Sequence, residues 1–153
     1  MRNHEKLEAY QLSEDLVVEV YQLTKDFPSD EKFGLTAHVR KTALSIPSNI
    51  AEGSARNSER EYFNFLNIAI GSTSELECQL RIGFRLGYLN ESVWNEFKDK
   101  TVRIRKMLTS LMKYLSLSGS VNGSSSQTGA RSPEPGVRSG ARKPEPGARS
   151  GAR

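Results

Sequence analysis

The chemistry this chain offers lies in its basic residues. Arg40 and Lys41 are adjacent; Arg56 and Arg60 are four apart, as are Arg81 and Arg85; Lys98, Lys100, Arg103, Arg105, Lys106 and Lys113 crowd one stretch against Asp99 alone. Residues four apart on a helix share a face. Such pairs present two cations together, the arrangement that holds phosphate by charge and shape rather than by base sequence. Catalysis has far less support. His4 and His38 are the only histidines, and His38 reads as a surface or packed imidazole. No HExxH, CxxC or paired His–carboxylate spacing suited to zinc occurs. Glu75 and Glu77 are two apart and fall on different helix faces, so they form no acid–base pair. No Walker or dinucleotide glycine pattern is present. The expectation is a protein without enzymatic activity, cofactor or metal.

Four amphipathic segments must position those bases. The first helix is expected over Glu5 to Asp26, with Leu12, Leu16, Val20 and Leu23 as its stripe and Tyr10, Val17 and Tyr21 widening it. The second is expected over Glu31 to Glu52, where Leu35, Val39, Ala43, Ile46 and Ile50 keep helical spacing. Pro47 interrupts that stripe. A proline inside a helix costs about 3 kcal/mol, so the segment either kinks there, needs freed carbonyls there, or ends at Ser45. Gly53 suits a left-handed C-terminal cap. The third helix opens at Ser58, with Glu61 completing a capping box, and ends near Leu86, before Gly87. Phe63, Leu66, Ile70, Leu76 and Leu80 point to its core face. Gly71 and Ser72 lie in mid-helix. A glycine there costs about 1 kcal/mol, which predicts a close helix–helix approach. The fourth helix is expected over Asn90 to Leu117, with Phe97, Thr101, Ile104, Leu108, Leu111 and Leu115 as a four-three seam.

Short connections between four such helices predict an all-α, up-down-up-down four-helix bundle spanning 1–118. Val93, Trp94, Val102, Met107 and Met112 lie off the fourth seam. They predict a second buried face and hence an oligomer, although Trp94 equally suits a lid on the bundle end. Cys78, the single cysteine, suits the core or an interface. Glu52 sits at a helix C-terminus, where a negative charge is unfavourable, and is expected to pair with Arg56.

The net charge of +4 belongs entirely to residues 119–153, which carry six basic and two acidic side chains. That segment repeats GARSPEPGVRS (129–139) as GARKPEPGARS (140–150), an 11-residue period with Pro and Gly in each unit. It lacks the apolar content to fold and is expected to be disordered. The bundle itself is neutral but polarised: the first helix is acidic and the fourth basic. Either the basic edge tracks a phosphate backbone, or the two edges pair between subunits of a ring. No aromatic is interleaved with the bases as in a single-strand stacking platform. The absence of a long apolar run and of a signal-like N-terminus implies a cytoplasmic protein.

Two motifs are more specific than any helix pattern: SIPSNIAEG at 45–53, and AIGSTSELECQL at 69–80. Together with Arg56 they resemble the four-helix-bundle family of proteins encoded in intervening sequences of bacterial 23S rRNA genes, also called S23, to which the accessory protein of diversity-generating retroelements is related. The resemblance spans roughly residues 7–115. His38 stands where the family usually has Gln, and Lys41 and Thr42 where Arg and Ala are common. It marks Ser45, Pro47, Asn49, Glu52, Gly53, Gly71 and Ser72 as motif residues. It also implies a homo-oligomer, a pentamer shaped like a short barrel, associated with RNA, DNA or a reverse transcriptase. The nucleic-acid-binding candidates are then Arg40, Lys41, Arg56, Arg60, Arg81, Arg85, Lys98, Arg103, Arg105 and Lys106. The alternative is a homo-oligomeric scaffold that binds no nucleic acid.

Overall fold

Four α-helices follow one another in the computed structural model: α1 (Glu8–Thr24), α2 (Leu35–Ser54), α3 (Glu59–Arg85) and α4 (Glu91–Asn122). Residues 2–122 are described, with side chains to 118, and no strand occurs among them. The expected tail lies outside the described residues from 123 onward; before that, α4 runs past the expected boundary at 118. Each helix packs on the next and α4 returns to α1, closing an up-down-up-down bundle. The core is the set of stripes expected from the spacing: Leu16 and Val20, Val39, Ala43, Ile46 and Ile50, Leu66, Leu76 and Leu80, and Phe97, Ile104 and Leu108 are all buried.

The boundaries follow local chemistry. Ser58 caps α3 by accepting from the Glu61 amide at 3.1 Å, and its hydroxyl donates to the Glu61 carboxylate at 2.8 Å. Gly87 has a φ of +80°. There the Tyr88 amide bonds the Gly83 carbonyl and the Gly87 amide bonds that of Phe84, the paired bonds that close a helix through a left-handed residue. Asn90 accepts the Val93 amide at 2.9 Å and starts α4. The helix expected from Glu31 instead begins at Leu35, because Ser29–Glu31 forms a separate 3-10 turn whose Glu31 carboxylate accepts the Leu35 amide at 2.8 Å. Likewise α1 starts at Glu8 after a 3-10 turn at His4–Lys6 and ends at Thr24.

Pro47 does not end α2; it is buried within it. The missing N–H leaves the Ala43 carbonyl without its usual partner, and side-chain donors gather on the adjoining carbonyls. Ser48 Oγ donates to Leu44 O at 2.7 Å, and Asn49 Nδ2 donates to Ser45 O at 2.7 Å and to Ser45 Oγ at 3.0 Å. Ser45 Oγ in turn lies 2.8 Å from Ser72 Oγ on α3. The two sequence motifs therefore meet across the α2–α3 interface.

Several expectations need correction. Gly53 is no left-handed cap: α2 continues through it to Ser54. A Cβ at Gly53 would sit 2.6 Å from Phe65 Cβ and 3.0 Å from Tyr62 Cδ2, so it is the glycine that permits close approach of α2 and α3. Gly71, expected in that role, is exposed with nothing within 4 Å of where a Cβ would stand. Tyr62, not Phe63, is the aromatic that α3 buries near its start. Of the residues off the fourth seam, Trp94 lies in this chain's own core, Val93, Met107 and Met112 pack against it while partly buried, and Val102 is half-buried. Cys78 is exposed. His4 is anchored: its Nδ1 lies 3.0 Å from Ser54 Oγ and its ring meets Tyr10 edge-on.

Candidate nucleic-acid interface

The acidic edge of α1 and the basic edge of α4 face each other inside one chain. Lys100 Nζ lies 2.5 Å from Glu19 and 2.6 Å from Glu96, and Arg103 lies 2.5 Å from Glu8. Arg105 reaches Glu77 on α3 at 3.1 Å, where Thr101 Oγ1 also donates at 3.2 Å. Burial alone would lower the Lys100 pKa; hydrogen bonds and charge from Glu19 and Glu96 outweigh it and hold the ammonium above its ordinary value. Half of the basic run expected to meet phosphate, or to pair between subunits, is thus neutralised within the bundle.

Other candidates are engaged locally. Arg40 Nε donates to Thr24 Oγ1 at 2.8 Å while its guanidinium lies 4.7 Å from the Tyr21 ring centroid. Lys41 is exposed beside it. Arg56 pairs with Glu52, as the sequence predicts, and its guanidinium covers the Phe65 ring at 5.0 Å. Arg2 spans the end of α2, donating to Arg56 O at 3.1 Å and lying over Tyr62 at 4.7 Å. Arg60 and Lys106 are exposed.

Three candidates do come together. Arg81 and Arg85 on α3 and Lys98 on α4 line one groove of about 420 Å³, whose other walls are Glu77, Phe84 and Trp94. All three cations are exposed. Among the described residues lining the groove, Glu77 is the one acid. Arg105 already matches it, so the groove carries an uncompensated positive charge. Its floor is aromatic: the rings of Phe84 and Trp94 stack with centroids 6.3 Å apart and planes 9° apart.

The bases of this groove stand out in the sequence, but the expectation that no aromatic is interleaved with them fails here: Phe84 lies between Arg81 and Arg85, and Trp94 one turn before Lys98. A signal existed. Arg81, Phe84 and Arg85 share one face at spacings of three and four, Trp94 and Lys98 share another at four, and the tight turn at 86–90 makes the two helices antiparallel neighbours. Among the described residues no group of three or more His, Cys, Asp or Glu is placed to hold a metal ion. No helix there is long and apolar enough to cross a membrane.

Comparison with known proteins agrees with this architecture. The family profile described as 23S rRNA-intervening sequence protein matches residues 5–110. A solved structure of a protein of unknown function from the S23 ribosomal protein family of Bacteroides thetaiotaomicron aligns with a TM-score of 0.64 at 25% identity, covering 69% of this chain and 95% of that one. No curated protein matches the chain.

Proposed function

The chain belongs to the 23S rRNA-intervening sequence protein family, and from that premise we propose that it is a non-enzymatic, nucleic-acid-associated bundle that meets phosphate through the α3–α4 groove. One observation carries the reading: Arg81, Arg85 and Lys98 converge there while Glu77, the acid lining the groove, is matched by Arg105. Phosphate contacts of this kind supply sequence-independent affinity that falls steeply with salt.

The test is binding of a structured RNA by the full chain at about 50 and 200 mM salt. The variant R81E/R85E/K98E is expected to lose most of the affinity and of the salt dependence. R103E, which breaks a pair on the far edge of α4, is expected to bind as the parent does. Equal binding by all three proteins would remove the groove from the function.

A second reading concerns self-association and rests on a different face. Between α1 and α2, two adjoining hollows share Leu44; Val17, Val18, Pro47 and Ala51 line one, and Tyr21, Phe33 and Ala37 the other. Val18 is 56% exposed and Leu44 42%, an unusual cost for a monomer to leave uncovered on one continuous face. We propose that a second copy covers this face in the homo-oligomer. Sedimentation of the full chain is expected to give a multiple of 17.1 kDa, five-fold for the pentamer the resemblance implies, and L44E is expected to reduce it.

A further inference from the structure

The α3–α4 groove has two properties that a track for duplex backbone does not need: a hollow between its cations and an aromatic floor. Duplex phosphates are met by side chains on a surface, through charge and shape. Here the cations stand at the rim of a hollow of about 420 Å³, within the range of roughly 300–1,000 Å³ typical of sites that enclose a small molecule. Phe84 and Trp94 form its floor as a near-parallel pair.

We propose that this groove is a pocket for one unpaired nucleotide, with its base against the Phe84–Trp94 floor and its flanking phosphates on Arg81 and Arg85 from one wall and Lys98 from the other. The proposal rests on the nucleic-acid reading above and narrows it to single-stranded or looped segments. Unpaired bases are the ones that can be splayed out and stacked on aromatic rings or guanidinium planes, and every base has a face suited to this. The two walls divide the work. Arg81 and Arg85 lie one turn apart on α3, a spacing that places two guanidinium groups along one strand. Lys98 follows Trp94 by one turn on α4, so the opposite wall offers a ring and then a charge. The charge of Glu77 is offset by Arg105, whose guanidinium donates to its carboxylate at 3.1 Å.

The chain reports on its own pocket, because Trp94 is its only tryptophan. The experiment titrates the full chain with a short single-stranded RNA, with the same RNA annealed to its complement, and with inorganic phosphate, following Trp94 emission and fluorescence anisotropy of labelled RNA together. The expected result is a saturable change in emission with the single strand only. R85E and K98E, both changes of exposed side chains, should each weaken it about tenfold or more without altering far-ultraviolet circular dichroism. Anisotropy showing that strand and duplex both bind while Trp94 emission stays constant would overturn the pocket and leave nucleic-acid binding intact. An equal emission change with inorganic phosphate would reduce the site to an anion site and overturn the base contact. No binding of either RNA would overturn both readings.

Discussion

Ser45 on α2 and Ser72 on α3 share a hydrogen bond of 2.8 Å between their hydroxyls. Asn49 adds a third member through Ser45. Each of these residues belongs to one of the two motifs, so the pairing of the motifs in sequence has a physical basis in one polar contact across a helix interface. Ser72→Ala is expected to cost about 1 kcal/mol, the usual net value of such a bond. A double-mutant cycle with Ser45→Ala, read by urea denaturation, should give a coupling energy of the same order; independent, additive effects would show that the two hydroxyls do not join the helices energetically.

Two glycines that look alike in sequence should respond in opposite directions. Gly53→Ala forces a Cβ to within 2.6 Å of Phe65 Cβ and is expected to destabilise by about 1–3 kcal/mol through overpacking. Gly71→Ala enters open space in an exposed mid-helix position and is expected to stabilise by up to about 1 kcal/mol. Thermal melting of the two variants beside the parent decides the point.

The charges of α4 and its neighbour α3 divide into structural and available ones. Arg103 meets Glu8 in a pair whose side chains are 61% and 57% exposed, so Arg103→Glu should cost no more than about 1 kcal/mol and leave RNA affinity unchanged. Arg81→Glu should leave stability unchanged and lower the slope of log affinity against log salt by roughly 0.7–0.9 for each phosphate it no longer neutralises. Filter binding across a salt series, beside a urea melt of each variant, measures both quantities.

Stability should fall on the alkaline side. Burial raises the Tyr62 pKa above its ordinary value although Arg2 opposes the shift. The hydrogen bond from Tyr88 to Glu31 raises that phenol as well. A group whose folded pKa exceeds its unfolded value contributes fully below the unfolded value, about 10 for tyrosine, and loses that contribution as pH rises through the folded value. Lys100, also raised, acts in the same direction. Tyr62→Phe is expected to move the alkaline unfolding midpoint upward, as followed by circular dichroism between about pH 9 and 12.

Much of the architecture was legible because its signals are local. The cap at Ser58, the stop at Gly87 and the apolar stripes each need only a few neighbouring residues to be read, and each stands where the spacing places it. Gly53 and Gly71 resist such reading because a glycine that ends a helix, one that admits a neighbouring helix and one that does neither are the same letter; only the position of Phe65 separates them. The basic residues are visible in the sequence but their partners are not. Helical spacing shows which bases share a face, yet what that face meets is a tertiary matter: Arg103 pairs with a carboxylate 95 residues away. Trp94 illustrates the same limit, since its meeting with Phe84 depends on how two helices lie side by side.

The ion pairs between α1 and α4 also set where this bundle gives way. The packing of α2 on α3 is the most extensive in the fold and that of α1 on α4 the thinnest among its neighbouring helices. That thin interface carries Glu8–Arg103 and Glu19–Lys100, pairs that concentrated salt screens. The first and last helices are therefore expected to separate before the α2–α3 hairpin loosens. In hydrogen exchange, amides along that seam should open by local fluctuation while those around Ile46, Ile50 and Leu66 wait for global unfolding.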